Sequence, residues 1–190
     1  MKLPLPPSCL ATIWGADEAY VEKYFTCFPG YYETGDAGYC DEDGYLYIMA
    51  RTDDVINVAG HRLSTGQLEE VLADHPDIAE CAVIGVADQL KGQLPLGLIC
   101  LYPNCNRLQD DIMAEAIALV KDRVGRVSSF NLIVVIERLP KTRSGKVLRG
   151  TMAKIADGEN WNMPATIDDP AILDEIKMAL QSIGYAGGKS

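Results

Sequence analysis

Two turn dipeptides divide the early part of the chain into short strands. Asp43-Gly44 lies between the runs AGYC and YLYIMAR, and Ala59-Gly60 lies between VINV and HRLS. Glycine tolerates the positive backbone φ that a tight hairpin turn needs, and the flanking runs are rich in β-forming residues. The sequence therefore predicts two successive β-hairpins, the first ending near Arg51 and the second bending at Gly60.

Helix signals follow the second hairpin. Ser64 and Gln67 match a capping box, and Pro76 ends the periodic segment that they open. Asp169 followed by Pro170 predicts the N-terminus of the last helix, with Asp169 as its N-cap. The predicted helices span 64–75, 110–124, 148–156 and 170–183.

Three β-rich runs, IAECAVIGVAD, PLGLICLY and NLIVVIE, fall between these helices. Alternation of such runs with amphipathic helices predicts the α+β fold class, a small mixed or antiparallel sheet with helices covering one face. Residues 1 to 36 show no clear periodic pattern of apolar residues, and we expect them to be the edge of a larger folded unit.

Composition and charge narrow the possible functions. The 190 residues include 27 acidic and 17 basic side chains, and the net charge of −10 opposes binding to nucleic acid or an anionic bilayer. No apolar run approaches the roughly 18 residues of a membrane span, and the start resembles neither a signal nor a transit peptide. We expect a cytosolic chain or one whose natural start is missing. The six cysteines form no CxxC pair, so we expect free thiols and no metal site.

Basic residues are concentrated in one stretch of this acidic chain. Five of the 17 basic residues fall within 138–149, which contains no acid. Within PKTRSGK, Gly145 permits a tight loop, so Lys146 can be presented at a loop tip to an anion such as phosphate. A solvated turn is the alternative, because basic surface loops are common. A Walker A loop is excluded, because Val147 replaces the required Ser or Thr.

Two acidic motifs flank the first hairpin. In YETGD, the carboxylate of Asp36 can accept hydrogen bonds from both hydroxyls of a ribose, although a turn-stabilising Asp is an equal alternative. In ARTDD, Arg51 stands beside Asp53, where a local ion pair is the simpler interpretation. His75 precedes Pro76 at a helix end and is predicted to be structural. No Ser/His/Asp or Cys/His arrangement is present, so a hydrolase is disfavoured.

Taken in order, YETGD, DEDGYLYIMARTDDVINVAGHRLSTGQLEE and PKTRSGK resemble the adenylate-forming superfamily, in its acetyl-CoA synthetase branch. The tail ADGENWNMPATIDDPAILDEI is similar to the propionyl-CoA synthetase subgroup, the short-chain member 3 type. The resemblance covers only the C-terminal part of the family's length. It implies the end of a large N-terminal AMP-binding domain over 1–50, a hinge over 51–54, and the small C-terminal domain over 55–190.

The resemblance also implies roles for individual residues. Lys146 matches the catalytic lysine of adenylation, and Asp53 matches the hinge about which the small domain rotates between half-reactions. Nucleotide binding is implied for Thr34, Asp36, Arg51 and Arg62. Binding of coenzyme A is implied for Gly60, which lets the pantetheine pass, and for Lys121.

The implied activity is ATP-dependent, AMP-forming ligation of propionate or acetate to coenzyme A through an acyl-adenylate. The implied small-molecule partners are ATP with Mg²⁺, a short-chain carboxylate and coenzyme A. The family's phosphate loop and acyl pocket lie upstream of Met1, so we expect the chain to need an N-terminal domain for activity. Two alternatives are a noncatalytic truncated module that binds coenzyme A or a partner chain, and a simple nucleotide-phosphate-binding protein in which Lys146 and Arg143 bind an anion without group transfer. The subgroup implies the mitochondrial matrix, with the cytoplasm as the alternative.

Overall fold

The computed structural model describes residues 2–187, and for Met49 and Asp53 it describes the backbone alone. The chain forms two compact units, the first extending to Thr52 and the second beginning at Asp53. In the described part of the chain, no helix is both long and apolar enough to cross a membrane.

Over residues 2–52, the first unit contains one α-helix and one β-hairpin. The elements are α1 (Asp17–Phe25), β1 (Asp36–Cys40) and β2 (Leu46–Arg51). The antiparallel pairing of β1 with β2 confirms the first predicted hairpin, and Gly44 takes a φ of +87° in its turn. Helix α1 was not predicted, because its charged and aromatic residues follow no clear apolar period.

The second unit is built on a five-stranded sheet. Its strands are β3 (Val55–Val58), β4 (His61–Ser64), β5 (Ile78–Asp88), β6 (Gly92–Leu101) and β7 (Leu132–Val135). The order is β4-β3-β6-β5, and β7 joins β6 as a parallel neighbour. The sheet is therefore mixed, and the predicted α+β class is confirmed. Its helices are α2 (Thr65–Ala73), α3 (Gln109–Arg123), α4 (Arg149–Asp157) and α5 (Ile172–Ser182).

Helices cover both faces of this sheet, so the prediction of a single covered face is wrong. Along β5, Ala82 and Ile84 point into one apolar cluster with α4 and α5, while Val83 points into another with α2 and α3. Strand β6 does the same with Leu98 and Ile99. Successive side chains of a strand face opposite ways, so a continuous apolar run requires cover on both sides.

Carboxylates satisfy backbone groups on the outer edge of β5. Among the strands that the structure describes, β5 is the last of the sheet, so one side of it has no partner strand. Glu69 of α2 accepts the Val83 N–H at 2.8 Å, and Asp157 of α4 accepts the Ala87 N–H at 2.8 Å. An exposed strand edge invites pairing with other chains, and these two helices cover it with side chains instead.

Two predicted helix caps need correction. Ser64 is the N-cap of α2, but its side chain makes no capping hydrogen bond, so the capping box is wrong in its contacts. Helix α5 begins at Ile172 rather than at Pro170. Asp169 instead accepts the Ala171 N–H at 3.0 Å and so stabilises the turn that leads into the helix.

Two of the six free cysteines are expected to resist alkylation. Burial raises the pKa of Cys81 and of Cys100 to about 11, from an ordinary value of 9.0. At pH 8 the reactive thiolate is therefore on the order of 100-fold scarcer at these sites than at an unperturbed cysteine. We expect iodoacetamide to label them last in the native chain and readily in urea, as followed by peptide mass mapping. Labelling of Cys100 as fast as exposed Cys40 would contradict this packing.

Candidate functional site

A cleft in the first unit collects the residues of the YETGD motif. Its volume is about 430 Å³, within the usual range for small-molecule sites. The lining residues are Phe28, Tyr31, Tyr32, Glu33, Thr34, Gly35, Asp36 and Thr52. The carboxylate of Asp36 stands at the start of β1 and is 37% exposed, so it is open to a ligand.

Arg51 joins the two ends of the hairpin at this cleft. Its Nη1 donates to the Thr34 carbonyl at 3.0 Å and lies 3.5 Å from the Asp36 carboxylate. Gly35 has a φ of +74°, and a Cβ built there would lie 2.7 Å from the Arg51 guanidinium. The positive φ therefore favours glycine at this position, and a larger side chain would also require the flexible end of Arg51 to shift. The structure brings together Thr34, Asp36 and Arg51, three of the residues predicted to bind nucleotide.

Sequence reasoning missed the aromatic side of this cleft. Tyr32 stacks on Tyr24 of α1, with ring centroids 4.9 Å apart and planes at 6°. Phe28 and Tyr31 add apolar surface beside Asp36. The aromatic residues themselves were the available signal, but only the position of the undetected helix α1 shows that they share one surface.

The PKTRSGK motif forms a closed loop with Lys146 near its tip. The Thr142 N–H donates to the Lys146 carbonyl at 2.8 Å, and the Lys146 N–H donates to Thr142 Oγ1 at 3.0 Å. Gly145 takes a φ of +83° and donates to the Thr142 carbonyl at 2.8 Å. The backbone of Lys146 is thus fixed directly after the turn over 143–145, and its side chain is exposed.

Ion pairs account for most of the basic residues in this stretch. Lys141 contacts both carboxylate oxygens of Glu80, at 2.7 and 2.9 Å, and Arg138 pairs with Asp169. The hydrogen bond from Arg138 lowers the pKa of Asp169 below its usual value. Arg149 makes a third pair, with Glu69. Within residues 2–187 the side chains of Arg143 and Lys146 make no ion pair or hydrogen bond, so they remain available to an external anion.

The third pair is the least exposed of the three. Arg149 donates through Nε and Nη2 to the two oxygens of Glu69, at 2.9 and 2.7 Å. The side chains are only 25% and 16% exposed. This bidentate hydrogen bond raises the pKa of Arg149, which holds the guanidinium charged.

Gly60 and Arg62 lie on the second hairpin, as predicted. Ala59 and Gly60 have φ values of +49° and +90°, which give the turn its tight reversal. The Ala59 N–H donates to the carbonyl of Lys91, so this turn contacts the loop between β5 and β6. Arg62 is exposed on β4.

The Lys146 loop and the Gly60 turn lie toward opposite ends of β5. The loop is tied to Glu80 near the start of the strand, and the Gly60 turn contacts Lys91, just beyond its end at Asp88. Eight residues of strand between Glu80 and Asp88 span about 26 Å. The two elements therefore face separate regions around the second unit.

The remaining predicted residues are placed as follows. Lys121 lies half-buried in the last turn of α3, on a different element from the Gly60 turn. The side chain of Asp53 lies outside the described residues. His75 is buried at the end of α2 and pairs with Glu115 at 3.2 Å, so its predicted structural role is confirmed.

A metal would find no ready protein site in the described part of the chain. Within residues 2–187 no group of three or more His, Cys, Asp or Glu side chains is arranged to hold a metal ion. Any Mg²⁺ that accompanies ATP therefore has no assigned protein ligand among the described residues.

Comparison with known proteins defines the class of this chain. Residues 67–146 match the family model described as the AMP-binding enzyme C-terminal domain. This segment includes the β5–β6 hairpin, α3, β7 and the PKTRSGK loop through Lys146. Residues 67–146 therefore belong to the family of AMP-binding enzyme C-terminal domains.

Similarity to individual proteins extends over nearly the whole chain. An uncharacterized protein of Pseudomonas aeruginosa is 56% identical over 95% of the chain. The mitochondrial acyl-CoA synthetase short-chain family member 3 of Homo sapiens is 45% identical over 95% of it. The propionate–CoA ligase of Escherichia coli is 44% identical over 94% of it. The predicted resemblance to short-chain acyl-CoA synthetases is thereby confirmed.

The chain spans only 26% to 29% of the length of these relatives. Among solved structures, the anthranilate CoA ligase AuaEII in complex with anthranoyl-AMP aligns with a TM-score of 0.60 and 28% identity, over 77% of this chain and 28% of that one. One named relative is mitochondrial and two are bacterial proteins, so the mitochondrial matrix stays a prediction.

Proposed function

We propose that the chain is the C-terminal segment of an ATP-dependent, AMP-forming short-chain acyl-CoA synthetase. The observation that carries this proposal is the ammonium of Lys146, which is exposed on a closed loop and has no partner within residues 2–187. Similarity over nearly the whole chain to the E. coli propionate–CoA ligase supports it. By the same similarity we propose propionate or acetate as the carboxylate and coenzyme A as the acceptor.

The first half-reaction joins the carboxylate to AMP. A carboxylate oxygen attacks the α-phosphorus of ATP, the bond to the bridging oxygen breaks, and pyrophosphate leaves with the electron pair of that bond. Negative charge grows on the phosphate oxygens in the transition state, where a preplaced ammonium stabilises it more than in the ground state. Lys146 is proposed to supply that charge.

The cleft in the first unit is proposed to hold the ribose. Asp36 accepts both ribose hydroxyls, because a carboxylate has two acceptor oxygens. Arg51 contacts both Asp36 and the Thr34 carbonyl, which supports a role in fixing that carboxylate and adding a further ribose contact.

The second half-reaction transfers the acyl group to sulfur. The thiol of coenzyme A attacks the acyl carbon, loses its proton, and AMP leaves as the phosphate anion. We propose that the Gly60 turn, Arg62 and Lys121 contact coenzyme A and phosphate groups in this step. Between the two half-reactions, rotation about a hinge over 51–54 would move the Lys146 loop away from the reacting groups and bring the Gly60 turn to them. Their placement toward opposite ends of β5, and the division of the chain between Thr52 and Asp53, support this proposal.

A graft tests the proposal. The 190 residues would replace the matching C-terminal part of the E. coli propionate–CoA ligase, and pyrophosphate release and propionyl-CoA formation would be measured. The truncated ligase without the graft, and the chain alone, are the controls. We expect turnover by the graft and none by either control. Acyl preference would be measured separately with acetate, propionate and butyrate, using the chain mixed with its own natural N-terminal part.

One outcome would favour the noncatalytic alternative. A folded graft that binds coenzyme A but forms neither acyl-adenylate nor thioester would contradict the proposed ligase. The noncatalytic module would then be the better interpretation.

A further inference from the structure

Arg149 occupies an unfavourable place for a cation. It is the first residue of α4, whose first turn contains no acid. The N-terminus of a helix carries partial positive charge, which disfavours arginine there. The side chain is also three-quarters buried, and its charge is balanced by Glu69 of α2. Sequences that break a local rule at a costly position often do so for function.

Contacts other than the one with Arg149 also hold Glu69 in place. One of its oxygens accepts the Val83 N–H at 2.8 Å, and it projects from a helix whose Leu68 and Leu72 are fully buried. The carboxylate therefore connects α2, the edge of β5 and the start of α4. Its bidentate contact fixes both the distance and the plane of the Arg149 guanidinium.

The start of α4 is directly coupled to the loop that carries Lys146. Lys146 precedes Arg149 by three residues, and the Leu148 N–H donates to the Pro140 carbonyl at 2.9 Å. Val147 pairs with Lys141 across the base of the loop. A shift of Arg149 would therefore move the base of the loop and, with it, the ammonium.

We propose that Glu69 is a positioning residue for adenylation, acting through Arg149 on the loop that carries Lys146. This proposal rests on the proposed function for its catalytic part. Partly buried ion pairs contribute little net stability compared with apolar replacements, so the pair is better explained by the geometry that it fixes. A shift of about 1 Å at a reacting group can cost on the order of 100-fold in rate.

The test uses two substitutions in the graft with the E. coli ligase. Glu69→Gln keeps an oxygen for the Val83 N–H but presents an amide to the guanidinium. Arg149→Lys keeps the charge but loses the bidentate fork. We expect both to lower kcat for adenylation by about 10-fold or more, with KM for ATP nearly unchanged. Propionyl-CoA formation from supplied propionyl-AMP is expected to stay within about 2-fold of the unsubstituted graft, because that step does not use Lys146.

The matched control is Arg123→Gln. It breaks an exposed ion pair with Asp74, the C-cap residue of α2, and it is expected to change neither half-reaction. Equal losses in both half-reactions, or a loss confined to KM, would overturn the positioning role and leave a structural one.

A second measurement does not depend on activity. Trypsin cleavage after Arg143 and Lys146 reports how firmly the loop is held, and it uses the 190-residue chain. We expect Glu69→Gln to speed cleavage at these two sites by about 10-fold relative to cleavage elsewhere. Unchanged cleavage would overturn the coupling. An inactive unsubstituted graft would instead contradict the proposed function, so the two failures are distinguishable.

Discussion

Replacing Lys146 with glutamine is expected to lower the rate of adenylation by about 10²–10³-fold, which is the usual loss when one preorganised stabiliser of transition-state charge is removed. The side chain is exposed and makes no ion pair or hydrogen bond among residues 2–187. Its removal should therefore leave the fold and the free energy of unfolding unchanged. Glutamine keeps most of the length of the side chain while removing its charge, so the loss would report the ammonium itself.

The two half-reactions separate this effect from a general loss of activity. Adenylation would be measured by ATP–pyrophosphate exchange with propionate, and thioester formation by supplying propionyl-AMP and coenzyme A to the graft. We expect the first to fall and the second to persist, because Lys146 stabilises charge only while pyrophosphate leaves. An equal fall in both would contradict the assignment.

Arg143→Gln is the matched control for this prediction. Arg143 lies in the same loop, is exposed and is also unpaired among the described residues. If Lys146 acts as a placed ammonium, the loss in Arg143→Gln should be at least 10-fold smaller than that in Lys146→Gln. Equal losses would mean that the loop attracts anions by net charge alone, which is the simple anion-binding alternative.

The predicted hairpins and loop were accessible from sequence because their determinants are local. Gly44, Gly60 and Gly145 all take positive φ, and each fixes a turn within a few residues of chain. Thr34 and Asp36 lie close to Arg51 because of the first hairpin, since the pairing of β1 with β2 sets Asp36 opposite Arg51.

The contacts that sequence reasoning missed are mostly distant in the chain. Glu69 and Arg149 are 80 residues apart, and Glu80 and Lys141 are 61 apart. Nothing in the local pattern of a basic stretch distinguishes a cation that pairs with a remote acid from one that stays free. The sequence predicted that Lys146 can meet an anion, but it could not show which of the other cations pair with remote acids. Among the described residues, only Arg143 and Lys146 of this stretch make no side-chain ion pair or hydrogen bond.

The same limit explains the error about the sheet. The apolar runs of β5 and β6 are compatible with a strand buried on both faces, but the helices that bury the second face, α4 and α5, come much later in the chain. Predicting where these helices pack required the order of the strands in the sheet. In the structure, β5 and β6 contribute side chains to apolar clusters on both faces. The PKTRSGK loop lies shortly before α4, so its position depends on this non-local packing.

Phe130→Ala is expected to produce the largest loss of stability among core substitutions, about 3–5 kcal/mol. Phe130 is fully buried in the apolar cluster that includes residues of α2 and α3, and its ring lies close to the backbone of Gly97 on β6. A loss of this size is a large part of the free energy of unfolding of a typical domain, which is about 5–15 kcal/mol. Urea unfolding followed by circular dichroism would measure it, and a loss below about 1 kcal/mol would contradict the packing.

A double-mutant cycle tests the contact between Phe130 and Gly97. A Cβ at Gly97 would lie 2.9 Å from Phe130 Cζ and 3.3 Å from Ile133 Cγ1, so Gly97→Ala alone should cost about 1–3 kcal/mol through overpacking. Phe130→Leu removes the ring atoms that clash, and in that background the added methyl group occupies part of the space released. The double variant should therefore be more stable than the sum of the single losses allows, by at least about 0.5 kcal/mol. Strict additivity would show that the ring moves aside freely, and the close approach of Phe130 to the backbone of β6 would then not explain the glycine at position 97.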